Sequence, residues 1–149
     1  MGSLAIAKCQ CGLEKNCSLG GGRRDHLVRC NFPCYCPDCQ SLYTGNLFDK
    51  PETCSQCRRH NGIAYDDPML RGLPPEQEPP VTYEKQSLLD KLLRKEPKPI
   101  PFCRNKEKDI FNWNTEYQLG REIYLTYESY LCPSCQKLTL HFDFVGAFD

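Results

Sequence analysis

Twelve cysteines stand among 149 residues, and most come in pairs that one turn could present to one metal ion. Cys36-Pro37-Asp38-Cys39, Cys54-Ser55-Gln56-Cys57 and Cys132-Pro133-Ser134-Cys135 are C-x-x-C pairs, while Cys9-Gln10-Cys11, followed by Gly12, is a tighter C-x-C. Two thiolates on one tight turn can hold a zinc ion, each Zn–S bond about 2.3 Å, and leave two coordination positions for a second pair. Cys36, Cys39, Cys54 and Cys57 meet that need locally. Their fourteen-residue gap falls just under the usual spacing of roughly 15–20. Cys132 and Cys135 have no neighbouring pair, so Cys9 and Cys11 are expected to complete their site. Two zinc ions per chain follow, one ribbon local and one split between the chain ends.

Cys17, Cys30, Cys34 and Cys103 are left over, and buried or partly exposed thiols are their plain reading. A third metal using Cys17, Cys30 or His26 stays open, as does competition from Cys34 through Cys34-Tyr35-Cys36. His141 falls on the polar face of a strand pattern. His60 lies beside a site already closed by four thiolates.

That chemistry is structural. A site closed by four thiolates has no position for a reacting water, and neither H-E-x-x-H nor G-x-S-x-G occurs. Redox chemistry at C-P-S-C would want the pair to open a helix, whose N-terminus lowers the thiol pKa. Here a strand pattern follows instead. No enzyme is expected.

Composition narrows the partners. Lys plus Arg and Asp plus Glu both total 19, so net charge is zero. That balance disfavours a protein living on nucleic-acid phosphates or an anionic membrane. No apolar stretch approaches a membrane span. Leu4–Ala7 is too short for a signal-peptide core, and Ile6 breaks the myristoylation pattern after Met1-Gly2. A cytoplasmic setting is expected, where disulfides are rare and thiols serve metals. With 40% apolar residues, 12 prolines and 10 glycines, the core is thin and metal must help to support it.

The elements that must position these pairs follow from patterning. Residues 1–65 read as an N-terminal zinc-ribbon region, with nine of the twelve cysteines between 4 and 60. Leu42-Tyr43 and Leu47-Phe48 around Gly45-Asn46 predict a short hairpin between its two knuckles. Residues 66–81, Pro-rich and acidic, read as a linker or loop. Residues 82–149 begin with one short helix over 82–95, striped by Leu88, Leu89, Leu92 and Leu93. They end in two alternating runs, Ile123–Leu131 and Leu138–Phe144, joined through C-P-S-C as a hairpin. This hairpin is expected to pack back on the N-terminus, with Leu4 and Ile6 covering the face of Leu138, Leu140, Phe142 and Phe144. The fold class is thus small, metal-stabilised and mainly β.

The C-x-C-G at 9–12, the Leu19-Gly20-Gly21-Gly22 turn, the C-x-x-C pairs at 36 and 54 and the closing C-P-S-C with its strand resemble zinc ribbons. They are similar to small bacterial two-zinc-ribbon proteins, mostly of unknown function, that end in a CPxC hairpin. C-x-C at 9–11 departs from that pattern. The resemblance speaks for zinc and is nearly silent on activity. The leading expectation is a structural zinc protein acting as an interaction or adaptor module for a protein partner. Nucleic-acid binding, common among ribbons, is the alternative. It would use Arg23, Arg24, Arg29, Arg58 and Arg59, with Phe32, Tyr35 or Tyr43 as stacking surfaces.

Overall fold

The computed structural model describes residues 2–71, 109–114, 119–120 and 122–148. Nine strands follow in chain order: β1 Gly2–Cys9, β2 Glu14–Leu19, β3 Asn31–Cys36, β4 Ser41–Asn46, β5 Ile63–Ala64, β6 Asp109–Asn114, β7 Glu122–Thr126, β8 Tyr130–Leu131 and β9 Leu138–Phe148. A 3-10 turn spans Pro68–Arg71. The described chain is mainly β. The helix expected over 82–95 and Cys103 lie outside the described residues.

The first sheet has the order β2-β1-β9-β8, so the first and last strands form its centre. Their antiparallel register runs from Gly2↔Phe148 to Cys9↔Leu140, with an irregularity between Leu4 and Ala5. Ala5, Ala7, Leu140 and Phe142 are buried, whereas Leu4 is exposed. The N-terminal segment does lie beside β9, but not through Leu4 and Ile6 as expected. The pleat turns Ala5 and Ala7 inward, and their small side chains leave room for Leu140 and Phe142. Leu138 and Phe144, expected beneath a cover, are exposed.

A second correction concerns the run 123–131. It is not one strand. The Tyr130 hydroxyl lies 2.9 Å from both the Thr126 backbone N and Oγ1, and the Glu128 N–H points at Thr126 Oγ1 at 3.4 Å. This side-chain bonding folds the chain at 127–129 and ends β7. Only Tyr130 and Leu131 continue to β9, while β7 pairs with β6.

The second sheet has the order β4-β3-β5. Here β4 runs through Gly45-Asn46 and pairs with β3 across the first knuckle, from Cys36↔Ser41 to Asn31↔Asn46. The hairpin predicted between Leu42-Tyr43 and Leu47-Phe48 is absent, because β3 already supplies the partner of β4. Gly62, just before β5, has no room for a side chain: a Cβ there would meet the Tyr43 hydroxyl, which bonds the Pro51 carbonyl at 2.6 Å.

One apolar core joins these two sheets and the two-stranded sheet of β6 and β7, which adds Phe111, Ile123 and Leu125. Tyr65, Tyr130 and Phe142 come from three separate places in the sequence and meet edge to face, at 5.3–5.8 Å between centroids. Such pairs add roughly 0.5–1.5 kcal/mol each beyond area burial. The Tyr65 hydroxyl donates to the Leu131 carbonyl at 2.9 Å, and Tyr35 donates to Gln136 Oε1 at 3.3 Å. The start of the expected linker is docked on this core. Leu70 is buried, and Arg71 donates to the Tyr124 hydroxyl at 2.9 Å while lying 5.0 Å over that ring.

Candidate metal centres

The cysteine pairs sit on closely similar turns. The N–H of the leading cysteine donates across its turn, Cys54 to the Arg59 carbonyl (2.9 Å) and Cys132 to the Lys137 carbonyl (2.8 Å). Cys9 does the same one residue sooner, to the Leu13 carbonyl at 2.9 Å. After each second cysteine the backbone turns left-handed: Gln40 (φ 48°), Arg58 (60°), Gln136 (56°) and Gly12 (93°). Non-glycine residues pay on the order of 1 kcal/mol there. The cost is offset where the same residue closes the turn, as Arg58 N–H does to the Cys54 carbonyl and Gln136 N–H to the Cys132 carbonyl, each at 2.9 Å. The short C-x-C turn closes likewise, Gly12 N–H to the Cys9 carbonyl at 3.0 Å. Its φ is the largest of the four, which is why glycine stands there.

These turns bring together both predicted tetrads, Cys9, Cys11, Cys132 and Cys135, and Cys36, Cys39, Cys54 and Cys57, each with all sulfurs within 4.8 Å of one another. In each, the first cysteine of one pair approaches the second of the other. Cys9–Cys135 and Cys11–Cys132 are 3.7 and 3.6 Å apart, Cys36–Cys57 and Cys39–Cys54 are 3.5 and 3.6 Å apart. A tetrahedron with Zn–S bonds near 2.3 Å has edges of about 3.8 Å. A disulfide would need about 2.05 Å, and every described cysteine is free. The donor set and its spacing fit a metal ion.

Electrostatics points the same way. Burial would raise the Cys9 thiol, but the Cys11 backbone and the Thr139 hydroxyl stabilise its thiolate and bring it down to about 6. Burial likewise opposes ionisation of Cys54, yet the Cys57 and Gln56 backbone groups lower it to about 6. Burial, reinforced by thiols already beside them, pushes Cys36 and Cys132 up to about 12. Four sulfurs this close cannot all ionise without a cation between them, and a bound divalent ion reverses that balance. Each tetrad also holds a hydroxyl that the cysteine spacing did not reveal. Thr139 Oγ1 is 3.1 Å from Cys9 Sγ and 3.5 Å from Cys135 Sγ, and Ser41 Oγ is 2.9 Å from Cys39 Sγ. Such donors orient a metal's ligands.

The remaining candidates fall elsewhere. Cys17, Cys30 and Cys34 are buried in the core and join neither tetrad. Burial raises Cys17 to about 11 and Cys30 and Cys34 to about 12, which marks them as neutral thiols. His26 Nδ1 sits 3.0 Å from the Arg23 carbonyl, and His60 Nδ1 sits 2.9 Å from Thr53 Oγ1. His141 is exposed on β9 opposite Lys8. Arg23, Arg24 and Arg29 precede β3, whereas Arg58 and Arg59 follow the knuckle at its other end. Arg59 is also paired with Asp38 at 3.5 Å.

No protein-family model, no curated protein and no solved structure matches this chain. Among the described residues no helix is long and apolar enough to cross a membrane.

Proposed function

We propose that this chain is a structural zinc protein whose two metal centres hold a β framework that presents surfaces to a protein partner. The observation that carries the reading is the closure of both tetrads: four sulfurs per site, cross-paired at 3.5–3.7 Å. Four thiolates suit zinc over harder cations, and they leave no position for water or substrate, so we assign no catalysis to the metal. The ribbon-like spacing of the cysteine pairs fits the same reading. A reducing, cytoplasmic setting suits it too, because these thiolates must remain unoxidised to bind metal. The nucleic-acid alternative loses support from the separation of its two arginine clusters along β3.

Native mass spectrometry of protein purified without chelator tests the metal assignment. Two zinc ions per chain are expected, and none or one would overturn it. The zinc-loaded protein used as bait then tests the partner class. Retained protein that survives nuclease treatment supports the adaptor reading. Retention abolished by nuclease replaces it with nucleic-acid binding.

A further inference from the structure

We propose that the loop over residues 21–30, with Phe148 beside it, is a docking surface for an acidic peptide segment of a partner protein that also carries apolar side chains. The inference rests on the adaptor reading and names the partner chemistry of that reading. Leu27 and Val28 are 67% and 70% exposed, among the most exposed large apolar side chains described. Nothing in the loop's construction requires that exposure. The loop is stitched by its own backbone: Asp25 N–H donates to the Gly22 carbonyl at 3.2 Å, and the Asp25 carbonyl accepts from Val28 and Arg29 at 3.0 and 2.8 Å. Its neck is shut where a Cβ on Gly21 would lie 2.4 Å from the Arg29 carbonyl. Asn46 Nδ2 anchors the tip to β4 through the Val28 carbonyl at 3.1 Å. A loop so fixed holds two apolar side chains out in water without bending to hide them, and this pre-organisation lowers the cost of binding.

Charge selects the occupant. Arg29 is paired with Asp25 at 3.6 Å, but among the described residues neither Arg23 nor Arg24 has a carboxylate within ion-pair distance. Both arginines line an open cleft of about 590 Å³ with Gly22, Asp25 and Phe148. The Phe148 ring lies across Gly2, where no side chain competes for the space. Two guanidinium groups with no ion pair among the described residues, two projecting aliphatic side chains and one ring complement carboxylates interleaved with apolar residues. A single-stranded nucleic acid would instead need stacking platforms. Leu27 and Val28 offer none, and Phe148 alone is half-buried.

The test is fluorescence anisotropy with a short fluorescein-labelled peptide of alternating Glu and Leu, titrated with the zinc-loaded full chain. Saturable binding is expected, weakened about tenfold by Arg23→Glu/Arg24→Glu and severalfold by Leu27→Ser/Val28→Ser. Lys50→Glu, a charge reversal at an exposed residue outside the loop, should bind as the parent does. Zinc content is measured on every variant, so a folding failure is separated from a binding failure. Parent-like binding by Leu27→Ser/Val28→Ser would reduce the effect to bulk charge and overturn the proposal. Tighter binding of an oligothymidine strand than of the peptide would overturn it in favour of nucleic acid. A chain that carries two zinc ions and ignores the peptide overturns the loop assignment alone. A chain that carries no zinc fails at the metal assignment instead.

Discussion

At the scale of single residues, the cysteines divide by what surrounds their sulfurs. Cys17 and Cys30 are held neutral by burial, at about 11 and 12 in the folded chain, against about 8.5 in an unfolded one. The unfolded state therefore loses these protons first. Stability from the two thiols is intact below the unfolded pKa and drains away as pH rises towards the folded values. Cys17→Ala/Cys30→Ala should be less stable than the parent at pH 8, yet lose less on going to pH 10. The difference in slope should be on the order of 1 kcal/mol per thiol. Denaturant unfolding at both pH values with zinc in excess measures it, and equal slopes would count against neutral burial. The turns allow a second expectation. Gln40 is exposed and left-handed at φ 48°, so Gln40→Gly should raise stability by up to about 1 kcal/mol. Gln136→Gly should gain less, because it forfeits the bonds of the Gln136 amide to Pro133 and Tyr35. Thermal melts of the two variants decide this.

At the scale of elements, the cysteine-bearing turns act as the hairpin ends of the first sheet. Both of its knuckles lie at one end, where β1 turns into β2 and β8 turns into β9. Deleting residues 2–11 should remove one metal site and also uncover Leu140 and Phe142 on the far side of the sequence. Hydrogen exchange in β9 should rise sharply, while β3 and β4 keep most of their protection. Unchanged exchange in β9 would mean that its order does not depend on β1. Legibility followed the same lines. The tetrads could be read because ligand spacing is local within each pair, and β9 because alternation from Leu138 to Phe144 is strong. The end of β7 was hidden, since Thr126 and Tyr130 look like strand residues until their hydroxyls meet. Its partner β6 carried no clear period of its own. The choice of Ala5 and Ala7 over Leu4 and Ile6 was hidden as well. Hydrophobicity favours the larger pair, but the volume of Phe142 opposite Ala7 favours the smaller. Thr139 and Ser41 had no ligand pattern to betray them, only hydroxyls close after a knuckle.

At the scale of the whole molecule, the two cysteine tetrads are tied together through the core. Gln136, next to one tetrad, accepts from Tyr35, whose neighbour Cys36 belongs to the other. The aromatic trio lies within the same core. Structural zinc contributes roughly 10–16 kcal/mol of apparent binding energy per site in small fingers, comparable with a domain's whole stability. On the zinc reading, stripping the metal with a chelator should therefore unfold all three sheets in one cooperative transition, read by circular dichroism and intrinsic fluorescence together. Two separated transitions would show that each site governs only its own sheet. Cys54→Ser should reproduce half of the effect, lowering the metal count by one and the melting temperature with it.

The central pairing of β1 with β9 also sets a schedule for biosynthesis. Cys9 and Cys135 are 126 positions apart, so at ordinary translation speeds on the order of ten seconds pass between their syntheses. Throughout that interval the first knuckle is a two-sulfur claw with half a coordination shell. The local tetrad at 36–57 is complete long before and can seize metal while the ribosome is still working. On the metal reading proposed above, the local tetrad can fill first and the split one only once Cys135 has been made. The nascent chain's earliest thiols, idle the longest, are the ones most exposed to oxidation or capture by a chaperone.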